Sequence, residues 1–161
     1  MKKKNYLLIF ILFLLVFAIF STRIQFHDVN EYITIAKALA GINNLNVFTG
    51  HSSFYPLIIS LFLRIWPNII MIKIVNTMWL FLIGAILLLW LKSKKTFIIF
   101  AFSPLVWYMS IQTTPVLPAS LFLLLAFIFF KKQNIKYNNL YSGLCLGLSF
   151  AFYTPMILVS L

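Results

Sequence analysis

The sequence predicts an all-α membrane protein that crosses the bilayer about five times, with its N-terminus in the cytoplasm. Composition is the first reason: 63% of the 161 residues are hydrophobic and only 9% are charged, where a soluble domain carries about 25% charged residues. Arrangement is the second. The apolar residues form long blocks and not the narrow stripe of a half-buried helix or the alternation of a strand. The third is the placement of charge. Nine of the thirteen basic residues fall into three clusters, Lys2 to Lys4, Lys92 to Lys95 and Lys131 to Lys136, each abutting an apolar block.

The first block, Tyr6 to Phe20, follows Lys2-Lys3-Lys4. A cleaved signal peptide has this general form, but its exit here reads Ala18-Ile19-Phe20-Ser21-Thr22-Arg23, with no A-x-A-like site. We therefore read an uncleaved first span over 6–22. Residues 23–67 form an outer loop. Within it, Tyr32 to Ala40 has aliphatics and alanines at helical spacing and stops at Gly41, a good residue for ending a helix.

The block Phe54 to Trp66 is short for a span, carries Arg64 and ends at Trp66-Pro67-Asn68. Were it to cross, the lysine clusters at 92–95 and 131–136 would both fall outside. Laid along the outer interface, it leaves all three clusters on the cytoplasmic side, as the positive-inside rule requires. Aromatic residues agree: Trp90 and Tyr141 mark inner ends, and Trp66, Trp107 and Tyr108 mark outer ones. The remaining spans are then 68–91, 96–111, 116–130 and 140–161. Pro104 and Pro118 fall inside two of them, and Gly143 and Gly147 give the last one a small-residue face suited to close helix packing. The chain stops at Leu161 within an apolar run, so it reads as a truncated product or as the N-terminal module of a longer reading frame.

Several functions are excluded. The net charge of +11 is clustered at span ends and does not form one phosphate-binding surface, so nucleic acid is not a partner. Cys145 is the only cysteine, which removes internal disulfides and thiolate metal sites. An ion-coupled carrier or flippase is disfavoured because no span interior holds a carboxylate pair.

The acids carry the most information. The chain has two, Asp28 and Glu31, both in Phe26-His27-Asp28-Val29-Asn30-Glu31-Tyr32, just beyond the first span. At this spacing Asp28 can cap a helix and Glu31 can complete a capping box. A carboxylate so held at the mouth of an apolar cavity can also act as a general base on a hydroxyl. The two readings are compatible.

Asp28-x-x-Glu31-Tyr32, Ala38-Leu39-Ala40-Gly41 and Gly50-His51-Ser52-Ser53-Phe54-Tyr55-Pro56-Leu57-Ile58-Ile59 together resemble the start of polytopic GT-C glycosyltransferases. These are enzymes that use polyprenyl-phosphate sugars, such as protein O-mannosyltransferases and the lipid A aminoarabinose transferase. The resemblance continues through Lys73-Ile74-Val75-Asn76, Ser103-Pro104-Leu105 and Gly143-Leu144-Cys145-Leu146-Gly147-Leu148. It implies transfer of a sugar from a polyprenyl-phosphate donor to an acceptor at the outer face, with inversion at the anomeric carbon. Asp28 would be the base, supported by Glu31, Tyr32 and His51. Arg64 and Lys73 would be candidates for the donor phosphate. No metal site is implied firmly, since some relatives use a divalent ion and others none; His51 beside Asp28 could help hold one. Where relatives often carry an acid between the third and fourth spans, this chain has Thr113-Thr114-Pro115, and where many carry Arg-Pro in the fifth, it has Thr154-Pro155. The alternative is a non-catalytic polytopic protein of the same architecture, a degenerate paralogue or an assembly subunit.

Overall fold

Asn68 is where the central helix of the chain begins. In the computed structural model, which describes residues 3–20, 27–43, 53–90, 92–131 and 137–154, with the side chains of 3, 4, 18, 27–29, 110 and 111 excepted, regular structure is helical throughout. The Asn68 side chain accepts from the Ile70 amide at 3.0 Å, satisfying one of the donors a helix start leaves open. Helix α4 then runs Ile69–Ala85 and ends in a π-helical turn, Ile86–Trp90. Together, Ile69–Trp90 make 22 residues, long and apolar enough to cross a membrane by length and composition.

Around α4 stand α1 (Lys3–Phe20), α3 (Phe54–Ile65), α5 (Lys94–Ala101), α6 (Pro104–Ile111) and α7 (Val116–Lys131). Helix α2 (His27–Leu39) packs on α3, and α8 (Asn138–Phe152) lies along α7. The core runs along α4, through Ile72, Val75, Leu80 and Leu88, to Leu14 of α1 and to Tyr55, Ile59 and Leu63 of α3. Gly84 permits the closest approach. A Cβ there would lie 2.9 Å from Phe10 Cε1 and 3.4 Å from Phe97 Cε2, so α1 and α5 both press on the bare backbone of α4. Phe10 meets Phe97 edge-on at 5.4 Å, and Trp107 of α6 receives Phe13 and Phe17 at 4.8 and 5.2 Å, the T-shaped geometry that ring quadrupoles favour.

Two expectations change. Residues 96–111, read as one helix, are two helices of eight residues each. Pro104 has no N–H to give, and its ring would strike the carbonyl four residues back. Ser103 before it is accordingly extended (φ −69°, ψ 125°), and Pro104 takes the first position of α6. Pro118 likewise stands in the first turn of α7 and not mid-helix. The second change concerns Gly143 and Gly147. Among the described residues, a Cβ at either would meet nothing within 4 Å, so none of them packs on this face of α8. The helix is instead fixed to α7 by Ser142 Oγ donating to the Ala126 carbonyl at 2.9 Å and Ser149 Oγ donating to the Ala119 carbonyl at 2.8 Å.

Large apolar side chains also face outward on several helices. Phe20, Phe102, Ile65 and Ile99 are each more than 70% exposed, at 81, 80, 77 and 72%.

Candidate functional site

The described functional candidates lie on α2, at the end of α3 and in the first turns of α4. Helix α2 is described from His27 onward, so Asp28 lies within it, and its expected role as the cap of that helix lies outside the described residues. The side chain of Asp28 lies outside the described residues, as does His51. Glu31, one turn on, is half-buried. The far end of α2 is ordered by Gly41 at φ +78°, a conformation that L side chains adopt with strain. The Gly41 amide donates to Ala38 O at 3.0 Å and the Ile42 amide to Lys37 O at 2.9 Å, the paired bonds of a Schellman ending.

Arg64 completes that ending. Its Nη2 donates to the Leu39 carbonyl at 3.0 Å, so the guanidinium of α3 sits at the C-terminus of α2, where a cation is favoured. A bidentate hold on a phosphate would have to share this donor set.

Tyr32 and Tyr55 tie α2 to α3, their rings edge-on at 5.8 Å and 82°. Tyr55 is fully buried, and its hydroxyl donates to Asn76 Oδ1 of α4 at 3.4 Å. The Asn76 amide nitrogen then donates to the Met109 carbonyl at 3.0 Å and to the Gln112 carbonyl. One buried amide therefore joins α3, α4 and the end of α6. An amide in apolar surroundings needs such partners, because leaving them unmade carries the full desolvation penalty. Lys73, one turn earlier on α4, is only 4% exposed. It lies inside the helix packing and not on a surface open to a lipid headgroup.

Burial pushes the Tyr55 hydroxyl well above the ordinary tyrosine range, with the neighbouring Tyr32 adding to the shift. The folded protein keeps this proton where the unfolded chain releases it, so stability is complete below the unfolded pKa of about 10 and falls as pH rises above it. Comparing melting temperatures of Tyr55→Phe and wild type from pH 8 to 11 should show the wild type losing stability more steeply. Parallel curves would mean that the hydroxyl is not held in this environment.

Around this hub the packing is aromatic. Phe152, from the last turn of α8, meets Phe54, Trp79 and Phe122 at 4.8, 6.0 and 5.6 Å. Among the described residues, Trp79 Nε1 and Thr114 Oγ1 are buried with no hydrogen-bond partner. Among the described residues, no three His, Cys, Asp or Glu side chains gather where they could hold a metal ion.

The structure thus brings Tyr32, Tyr55 and Asn76 together in one interhelical tie, while Arg64 serves the end of α2. Asn76 is the residue that sequence reasoning undervalued. Its signal was available: an amide in the middle of an otherwise apolar helix. No family model matches the chain, and neither a curated protein nor a solved structure matches it.

Proposed function

We propose that the chain is an integral membrane module of about five spans, N-terminus in the cytoplasm, belonging to a glycosyltransferase that uses a polyprenyl-phosphate sugar. The observation that carries this reading is the position of the acids. The chain's only two carboxylates, Asp28 and Glu31, stand in the opening turns of α2, which follows the first apolar helix. In the reaction, Asp28 takes the proton of an acceptor hydroxyl, whose oxygen attacks the anomeric carbon. The lipid phosphate leaves with the electron pair of the broken bond. The large outward-facing apolar side chains support burial in lipid, since soluble monomers rarely expose such surfaces contiguously. The direct test is transfer of labelled sugar from a polyprenyl-phosphate donor by membranes carrying the protein, against membranes lacking it.

A second reading, a non-catalytic membrane protein of the same architecture, is favoured by what occupies the two candidate phosphate ligands. Arg64 is engaged at the end of α2 and Lys73 is buried. Absence of any labelled product would select it.

The topology makes its own prediction. With Cys145→Ser as background, Ser93→Cys should react with an impermeant thiol reagent only from the cytoplasmic side, and a glycosylation acceptor placed at Asn68 should report the outer side. A cytoplasmic readout at Asn68 would make α3 a span and invert everything after it.

A further inference from the structure

We propose that the cavity between α1, α5 and α6 holds a hydrocarbon chain of an anionic glycerophospholipid, whose phosphate is met by Lys94 and Lys95 at the start of α5. This rests on the membrane reading of the chain but not on the reaction.

The cavity is a half-open groove of about 370 Å³ between Tyr6, Phe10 and Phe13 of α1, Phe97 and Ile98 of α5, and Trp107 of α6, lined also by the exposed Ile9 and Phe102. Its wall has almost no polar atoms, and water needs two to four polar partners to settle at such a site. A hydrocarbon segment is therefore the chemistry that fills it. The head of that molecule is indicated by the sequence of α5. Lys94, Phe97, Ile98 and Ala101 stand at i, i+3, i+4 and i+7, which places Lys94 on the face that lines the cavity, one turn beyond its wall. Lys94 and Lys95 are both exposed, and no acid stands in the first turn of α5. Two cations at a helix N-terminus reinforce the positive end of the dipole, an arrangement relieved by an anion. An apolar slot ending in a positively charged helix start fits an amphiphile with one anionic head.

The experiment exchanges the detergent-purified protein into mixed micelles of phosphatidylglycerol and phosphatidylcholine and measures retained lipid by native mass spectrometry. Wild type should keep phosphatidylglycerol in preference. The Lys94→Gln, Lys95→Gln double variant should lose about fivefold in that preference per lysine. Ala101→Trp, which fills the slot, should retain neither lipid while keeping its helicity. Should that variant lose helicity, Ile98→Trp, at a half-exposed wall position, takes its place. Equal retention of the two lipids by wild type, or unchanged phosphatidylglycerol retention in a folded slot-filling variant, overturns the proposal. Alkaline carbonate extraction separates the two failures: a chain released from membranes overturns the membrane reading as well, whereas a chain that stays without lipid preference overturns only this site.

Discussion

Asp28→Asn is expected to reduce sugar transfer by about 10²–10⁴-fold, the usual cost of losing a general base, with helicity and membrane insertion unchanged. The substitution keeps the shape of the side chain and removes only its capacity to take a proton. Its structural cost is small. An acid near a helix start gains about 0.3–1 kcal/mol from the dipole, so even a purely electrostatic role would make the loss of this charge a small structural cost. A purely structural aspartate would therefore leave Asn with nearly full activity. Glu31→Gln, one turn later and half-buried, should reduce transfer far less. The measurement is the rate of labelled-sugar transfer at equal protein level, and wild-type rates in Asp28→Asn would remove Asp28 as the base.

Asn76→Leu should produce the largest loss of stability of any polar substitution in the described core, about 3 kcal/mol from the groups it leaves unpaired, or roughly 6–12 °C in melting temperature. Leucine keeps the branched shape, though it is larger, and removes the amide that receives Tyr55 and serves the Met109 and Gln112 carbonyls. The Tyr55 bond is long, at 3.4 Å, so Tyr55→Phe alone should cost little. In the Asn76→Leu background the same change should be neutral or stabilising, because it removes an orphaned hydroxyl. Additive losses in the double variant would show that the two residues do not act as a pair.

What was legible in the sequence follows from which forces act locally. Helical blocks were readable because apolar runs and end signals are local: Gly41 ends α2 through a left-handed backbone that glycine adopts freely, and the helix from 69 onward starts where Asn68 can cap it. The break at Phe102-Ser103 was hidden by hydropathy, which continues across it, although Pro104 announced it through sterics. The site was less legible because its members meet across the fold. Nothing near Arg64 in the chain indicates that its partner is the carbonyl of Leu39, 25 residues earlier. Nothing near Asn76 indicates Met109 and Gln112, 33 and 36 residues later. A cation near a membrane face suggests a phosphate from sequence, and only tertiary structure shows a helix end competing for it.

Phe152 has a consequence for the order in which the protein can be made. It closes an aromatic cluster whose other members include Phe54, Tyr55, Trp79 and Phe122, and it belongs to the last turn of α8. At synthesis rates of about 5–20 residues per second, roughly 5–20 seconds separate the appearance of Tyr55 from that of Phe152. Until Phe152 emerges the Tyr55–Trp79 surface lacks this lid, and the hub at Asn76, which cannot close before Gln112 is made, must form beside an open aromatic face. A ribosome-stalled chain ending before α8 should therefore be held by insertion factors or cleaved by proteases between α3 and α4, and one extended past Phe152 should be released and resist cleavage.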